Sequence, residues 1–227
     1  MQCSLSSAVI LTLTCCASAC ARSPGGDVEA ADASSAGSGG STALSGTPSE
    51  LPGLATRTRA DRAAWRAQLG WPDDCEQAFE LTDASADSGI VVQALEHGAM
   101  LVAVRCAAGA YQPSALVLQV DATGMPAAAR VLTFATYVSP DGETLERVDT
   151  TELRGEIRFA AQGPTLSVLA LSRQTGDCGT WAEYTVADGA PRLVTLYARL
   201  PCPGTPDAPV DPAPDEPPPG WKRMDAQ

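Results

Sequence analysis

The segment PTLSVLALSRQTGDCGTWAEYTVADGAPRLVTLYARLPC, residues 164–202, decides the predicted fold. Residues 165–172 have the composition of a buried strand, and two further strands are predicted at 181–186 and 192–200. The pair Asp188-Gly189 between the last two is a strong hairpin signal, because such pairs adopt positive φ readily. We therefore expect a hairpin, with Cys178 and Cys202 near its open end.

The residues upstream continue this β pattern. Strands are predicted at 90–95, 100–106, 115–120, 131–138, 143–148 and 157–161. The pattern of period two begins at Cys75, and turn signals recur at roughly 8- to 12-residue spacing. These features predict a mainly β (α+β) domain with an antiparallel sheet or sandwich of about six to eight strands.

One N-terminal helix is predicted to precede the sheet. Thr58 and Asp61 resemble a capping box, and Gly70 followed by Pro72 is a helix stop signal. The helix is rich in arginine, at positions 57, 59, 62 and 66. We expect these arginines to form a solvated face, with a docking patch for an acidic partner as the alternative.

The first 53 residues are predicted to lie outside the fold. Residues 1–19 resemble a secretory signal peptide that ends in Ala17-Ser18-Ala19, and Cys20 follows as in a bacterial lipobox. We expect Cys20 to carry a lipid, although plain secretion is the alternative and Cys15 and Cys16 are rival acceptors. Residues 20–53, rich in Ser, Gly, Ala and Pro, then form a flexible tether.

A single globular domain is predicted over residues 54–202, followed by a proline-rich tail over 203–227. Proline has no N–H for a strand ladder, so the tail is expected to be extended over the surface. Trp221 is expected to pack back onto the domain as an anchor.

Charge limits the classes of partner. The net charge is -12 and the sequence pI is about 4.4. Nucleic acids need clustered Lys and Arg, so we expect no nucleic-acid partner. Anionic lipid would likewise not hold this surface by charge, so membrane contact is expected only through Cys20.

The four cysteines of the domain point to an oxidising compartment. Cys75, Cys106, Cys178 and Cys202 allow three pairings. Cys178 and Cys202 lie at nearly mirrored offsets from the Asp188-Gly189 turn, which predicts that they pair and leaves Cys75 with Cys106. A reactive Cys178 is the alternative, with Arg173 as its only nearby cation.

The inventory of catalytic and metal-binding residues predicts no enzyme, no cofactor and no metal. The chain has one histidine, His97, in the predicted link Glu96-His97-Gly98, and no Gly-x-Ser-x-Gly motif accompanies it. Residues 83–89 alternate oxygen-bearing side chains, but they lack the Gly and Glu positions of an EF-hand loop. We expect a solvated loop there.

Three segments together carry a family resemblance: Trp71-Pro72-Asp73-Asp74-Cys75, residues 105–112 with Cys106, and Gly176-Asp177-Cys178-Gly179 followed by Cys202. With Trp221 after the prolines, this pattern resembles the uncharacterised bacterial envelope family called domain of unknown function 1176, over about residues 57–223. The chain departs from that pattern in its N-terminal tether and in Ser172-Arg173-Gln174-Thr175. The resemblance implies a secreted or periplasmic domain and no known activity.

These observations lead to one expected function and one alternative. The first is a non-enzymatic lipoprotein domain on the periplasmic side of the envelope, with the outer membrane as its expected site, that binds an unknown envelope protein or ligand or acts structurally. The alternative is an acidic inhibitor-like protein that acts on a basic envelope hydrolase such as lysozyme.

Overall fold

The computed structural model describes residues 58–110, 112–123, 127–205 and 214–225. Its helices are α1 (Arg62–Leu69), which a 3-10 turn at Arg59–Asp61 precedes, and α2 (Asp73–Thr82). Its strands are β1 (Ile90–Ala94), β2 (Ala99–Ala107), β3 (Ser114–Asp121), β4 (Ala128–Val131), β5 (Phe134–Val138), β6 (Glu146–Thr150), β7 (Glu152–Arg154), β8 (Glu156–Phe159), β9 (Thr165–Leu171), β10 (Gly179–Ala187), β11 (Ala190–Arg199) and β12 (Lys222–Met224).

These strands form two five-stranded sheets and one two-stranded ribbon. Sheet 1 has the order β1-β2-β3-β4, and β7 pairs with the other end of β3. Sheet 2 has the order β12-β11-β10-β9-β8, and the ribbon consists of β5 and β6. Every strand pair among the described residues is antiparallel, so the predicted mainly β, antiparallel fold is confirmed.

Sheet 1 is the middle layer of the domain. Met100 and Val102 of β2 face the helices and pack with Trp65 of α1. Leu101, which alternates with them, faces sheet 2 and packs with Leu166 of β9. Because β2 is covered on both faces, residues 100–104 are all buried, which explains their unbroken apolar sequence.

The predicted hairpin is the centre of sheet 2. Asp188 and Gly189 have φ of 52° and 74°, the positive values of a two-residue turn, and Ala187 pairs with Ala190. A register shift between Glu183 and Tyr184 places one extra residue on β11. The pairing beyond this bulge brings the open end of the hairpin toward the two cysteines, as the sequence predicts.

The start of the helical region is also as predicted. The backbone N–H of Thr58 donates a hydrogen bond to Asp61 Oδ2 at 3.0 Å, and Gly70 ends α1 with φ of 69°. Trp65 and Leu69 are buried on one face of α1. Capping and apolar spacing therefore mark this element in the sequence.

Helix α2 overturns one local prediction. A pattern of period two from Cys75 onward predicts strands, whereas residues 73–82 are helical. Cys75 and Phe79 are four residues apart and both buried, and Asp73, Asp74 and Glu76 lie in the first turn, where carboxylates favour the helix dipole. The spacing of these residues and the acidic first turn are the local signals of this helix.

The predicted strand over 131–138 is in fact two strands in different sheets. β4 ends at Val131 on sheet 1, and β5 begins at Phe134 in the ribbon. Leu132 between them is buried and donates its backbone N–H to Val117 O at 2.8 Å. The Phe134 ring then packs edge-on against Tyr184 of sheet 2, with ring centroids 5.1 Å apart.

The tail contributes to the fold beyond residue 202. Residues 222–224 form β12, which pairs with β11 at the edge of sheet 2. Trp221 is 7% exposed and packs with Leu169 and Trp181 on the outer face of that sheet. Sheet 2 is therefore covered on its outer face by the tail and on its inner face by sheet 1 and the ribbon.

Candidate functional site

The four cysteines form the two predicted disulfides. Cys75 of α2 bonds to Cys106 of β2, and Cys178 bonds to Cys202, with Cα atoms 4.5 Å and 5.3 Å apart respectively. The first joins the helical layer to sheet 1, and the second closes the open end of the β10–β11 hairpin. Cys178 is fully buried and disulfide-bonded, so the alternative of a reactive thiol at this position does not hold.

The turn before Cys178 is held by a buried carboxylate. Asp177 accepts a hydrogen bond from Arg173 Nε at 2.7 Å and another from Thr175 Oγ1 at 2.6 Å. Arg173 also donates to the carbonyl of Pro203 at 3.0 Å, just beyond Cys202. Arg173 therefore links the two ends of the loop that this disulfide closes.

The predicted solvated face of arginines is wrong at Arg62. Its side chain is buried, and its guanidinium carbon lies 3.6 Å from the centroid of the Phe79 ring. Arg62 Nε donates to Glu76 Oε2 at 2.8 Å, and Trp71 Nε1 donates to the same oxygen at 2.9 Å. Burial lowers the pKa of Arg62, while Glu76 acts to raise it. The cation is buried because a carboxylate and an aromatic face replace its water.

Two further arginines lie near the same Phe79 ring, and we call this group of arginines around Phe79 the arginine cluster. Arg59 and Arg105 have guanidinium carbons 4.8 Å and 5.8 Å from the Phe79 centroid. Gly89, with φ of 63°, passes so close to the ring that a Cβ there would lie 2.8 Å from a Phe79 carbon. This position therefore requires glycine, both for its conformation and for space.

The loop over residues 83–89 contacts the arginine cluster through Arg105, so the expectation of a merely solvated loop is wrong. Asp83 is buried. Its carboxylate accepts hydrogen bonds from Arg105 Nε at 2.5 Å and from Ser85 N at 2.8 Å. Burial acts to raise the pKa of Asp83, but the hydrogen bonds from Ser85 and the charge of Arg105 hold it below its ordinary value. Within the part of the chain that the structure describes, no group of three or more His, Cys, Asp or Glu side chains is arranged to hold a metal.

His97 lies where the sequence predicts, in the tight link between β1 and β2, with φ of 60°. It is exposed and lines a cleft of about 850 Å³ together with Glu96 and Asp188. Gly98 follows it with φ of 76° and allows the chain to return into β2. The arrangement is that of a polar turn residue at the end of the two sheets.

A second cleft opens between the β5–β6 ribbon and the last strands of sheet 2. We call it the ribbon cleft; its volume is about 600 Å³. Its apolar lining consists of Tyr137, Leu145, Leu196, Ala198, Leu200 and Met224. Its polar lining consists of Glu143, Thr144, Arg147, Lys222 and Asp225. An apolar floor with a few charges at the rim is typical of sites for small amphipathic molecules.

The ribbon cleft has no counterpart among the sites predicted from the sequence. Its lining comes from three separate segments, over residues 137–147, 196–200 and 222–225. The tail strand supplies Lys222 and Met224, which pair along β11 with Ala198 and Leu196. No local motif marks such a site, because its parts are far apart in the chain.

Most of the motif residues have structural roles. The side-chain oxygen of Gln112 accepts the backbone N–H of Leu171 at 2.8 Å, so the segment after Cys106 links the two sheets. A Cβ on Gly109 would lie 1.9 Å from the carbonyl oxygen of Gln112, so this turn also requires glycine. Trp71 and Asp177 each have hydrogen-bond partners within the fold, as described above.

The fold and these sites define a disulfide-bonded, mainly antiparallel β domain with open clefts at its surface. The chain belongs to the family described as "Protein of unknown function (DUF1176)", whose model matches residues 45–214, roughly three quarters of the sequence. Comparison with curated proteins and with solved structures found no match. Among the described residues, no helix combines the length and the apolar character that a membrane span needs.

We predict that Asp83→Asn destabilises the domain by about 1.5–3 kcal/mol at pH 7, because Asp83 loses charge-assisted hydrogen bonds. The folded pKa of Asp83 is lowered. Its contribution is therefore fully present above about pH 4, the ordinary pKa of Asp, and is lost as the pH falls through the folded value. Urea unfolding at pH 7 and pH 3 should show the gap between wild type and variant shrinking in acid.

Asp225→Asn is the matched control, since Asp225 is exposed. It should change the free energy of unfolding by no more than about 0.5 kcal/mol at either pH. A gap for Asp83→Asn that is equally large at both pH values would contradict the assigned role of its charge.

We predict that Cys178→Ser lowers the free energy of unfolding by about 3 kcal/mol, because the unfolded chain regains the entropy of a loop whose ends are 24 residues apart. Cys202 should then react with a thiol reagent, which peptide mapping of the mature protein detects. The wild-type protein should give no labelled peptide that contains Cys202. Labelling of Cys75 or Cys106 in the variant would show that the cysteines exchange partners.

Proposed function

We propose that this chain is a non-enzymatic lipoprotein domain on the periplasmic side of the cell envelope, at the outer membrane, with a binding or structural role. The observation that carries the proposal is the use of all four domain cysteines in two disulfides. Disulfides of this kind persist in oxidising compartments and are rare where thiols are kept reduced. The signal-like residues 1–19 support the same location.

Cys20 is the proposed anchor. It lies outside the described residues, so the proposal rests on its place directly after Ala17-Ser18-Ala19. Each buried CH₂ of an acyl chain contributes roughly 0.8 kcal/mol to membrane binding, so several chains on one cysteine would hold the protein firmly. The segment over residues 20–53 would then serve as a tether between the lipid and the domain.

The ribbon cleft is the proposed ligand site. Leu196 forms part of a floor that continues into the inter-sheet core, and Arg147 and Lys222 supply cations at the rim. A ligand with an apolar body and an anionic group would bury the first against the leucines and place the second beside the cations. We propose no catalytic role for this domain, because the sequence has a single histidine.

We expect Cys20→Ala to move the protein from the membrane fraction to the soluble periplasmic fraction, because the acyl chains that hold it would be missing. Cell fractionation followed by immunoblotting measures this directly. Cys16→Ala is the matched control and should remain in the membrane fraction. A Cys20→Ala protein that fractionates like wild type would refute the anchor.

We expect the mature domain to bind 1-anilinonaphthalene-8-sulfonate in the ribbon cleft, since this dye combines an apolar body with an anionic group. Arg147→Gln should weaken the binding about two- to fivefold, the effect of losing one exposed ion pair. Fluorescence titration of the folded protein measures the affinity. Arg158→Gln is the matched control, because the two arginine side chains are 57% and 54% exposed. Equal weakening by both variants would place the dye elsewhere.

An acidic inhibitor of a basic envelope hydrolase is the alternative function, and the net charge of -12 favours it. Attraction between such partners acts over about 10 Å at 0.1 M salt, so binding should weaken steeply as the salt concentration rises. A turbidity assay with egg-white lysozyme at low and high salt tests this. A lack of inhibition at low salt would exclude lysozyme as the target.

A further inference from the structure

Three connections meet at one end of the two sheets and enclose an open cleft. They are the β1–β2 link, the β8–β9 connection and the turn of the β10–β11 hairpin, and they contribute lining residues over 93–99, 161–164 and 186–188. We call this the loop cleft; its volume of about 850 Å³ exceeds the volume of about 600 Å³ of the ribbon cleft. A cleft of this volume can hold a small organic ligand.

The walls of the loop cleft are held by backbone hydrogen bonds. Leu95 N donates to Ala99 O at 2.8 Å across the β1–β2 link. Val186 N donates to the carbonyl oxygen of Pro164 at 2.9 Å, which ties the β8–β9 connection to β10. Because both connections are bonded to strands or closed on themselves, a ligand loses little affinity to the ordering of these walls.

The floor of the loop cleft is apolar. Val186 is 4% exposed and belongs to the core between the two sheets, and Leu95 packs against the same core. Both residues also line the cleft, together with Pro164 and the alanines at 94, 99 and 161. An apolar body placed on this floor would be removed from water, which is favourable in proportion to the area covered.

The carboxylates of the loop cleft have no cationic partner. Glu96 and Asp188 line the cleft and are exposed, and none of the described lysines or arginines lines it. Neither carboxylate forms an ion pair with another residue in the part of the chain that the structure describes. Arg130 donates to Gly189 O at 2.6 Å beside the hairpin turn, but it is not part of the lining. The ribbon cleft differs, because its lining contains charges of both signs.

Two tight turns hold the polar groups at the rim. His97 and Asp188 are the two non-glycine residues with positive φ among the described residues, at 60° and 52°, and a glycine with positive φ follows each of them. Both are exposed and line the cleft. A neutral imidazole has one nitrogen that can accept a hydrogen bond from an ammonium group. The loop cleft therefore combines an apolar floor with acceptors and unpaired negative charge.

We propose that the loop cleft binds a small organic cation that has an apolar body, as an arylalkyl amine does. The apolar body packs on Leu95 and Val186, and the ammonium group lies beside the carboxylates of Glu96 and Asp188, whose oxygens replace part of its water. The net charge of -12 attracts cations to the surface and favours the same class of ligand. This site goes beyond the proposed function, because it is separate from the ribbon cleft and selects the opposite charge.

The test compares three probes that share one apolar body. They are phenethylamine, which is a cation at pH 7, the neutral phenethyl alcohol and the anionic hydrocinnamate. His97 is the single histidine of the chain, so its imidazole gives one set of nuclear magnetic resonance signals from the rim of the cleft. The mature Cys20→Ala protein is used at constant ionic strength, so that no acyl chain takes up the probes.

We expect phenethylamine to shift the His97 signals in a saturable way. Its affinity should be about five- to twentyfold higher than that of phenethyl alcohol, because the alcohol lacks two exposed ion pairs that each contribute a few-fold. Hydrocinnamate should bind more weakly than the alcohol, since its carboxylate is repelled by Glu96 and Asp188.

Two variants locate the ammonium group. Asp188→Asn removes a charge but keeps the turn, because Asn-Gly favours the same two-residue hairpin turn. Glu96→Gln removes the other charge, and each variant should weaken phenethylamine binding about two- to fivefold while leaving phenethyl alcohol binding unchanged. Glu80→Gln is the matched control and should leave both affinities unchanged, because Glu80 is exposed on α2, outside the cleft.

Three results would overturn the proposal. Equal affinity for the amine, the alcohol and the anion would show that the cleft does not select charge. His97 signals that do not move with phenethylamine at millimolar concentration would show that the cleft does not bind this class of ligand. Full affinity in both Asp188→Asn and Glu96→Gln would place the cation at another surface. None of these results depends on dye binding in the ribbon cleft, so the two sites are tested separately.

Discussion

The burial of β2 and β3 on both faces is the constraint on which the rest of this structure depends. Val102 and Val104 face the helices while Leu101 and Val117 face sheet 2, and all four are inaccessible to solvent. A sheet that is apolar on both sides needs a cover on each side. The helices and sheet 2 are therefore each joined to this middle layer by specific links.

On the helical side, the links are a disulfide and a buried cation. Cys75–Cys106 joins α2 to β2, and Arg62 of α1 donates to the carbonyls of Ser88 and Arg105 at 2.6 Å and 3.0 Å. Every buried side-chain nitrogen and oxygen in the described residues has a hydrogen-bond partner. A buried guanidinium without such partners would cost several kcal/mol, so this cluster fixes one arrangement of the layers.

On the other side, sheet 2 separates two surfaces with different chemistry. Its inner face ends in the ribbon cleft, where the β5–β6 ribbon replaces sheet 1 as the cover and leaves charged side chains at the rim. Its outer face binds the tail through Ser167 and Trp181. The tail takes part in both, because Trp221 packs on the outer face while Lys222 and Met224 line the cleft. A change in the tail's position would therefore alter both surfaces at once.

The sequence by itself determined the elements whose signals are local. The hairpin follows from Asp188-Gly189, the pairing of Cys178 with Cys202 from their offsets around it, and the start of the first helix from Thr58 and Asp61. Only the tertiary structure decided the burial of Arg62, the division of residues 131–138 between two sheets and the lining of the ribbon cleft. Backbone φ preferences, caps and short hydrogen bonds act between neighbours in the chain, whereas the environment of a buried charge or a cleft depends on residues that only folding brings together.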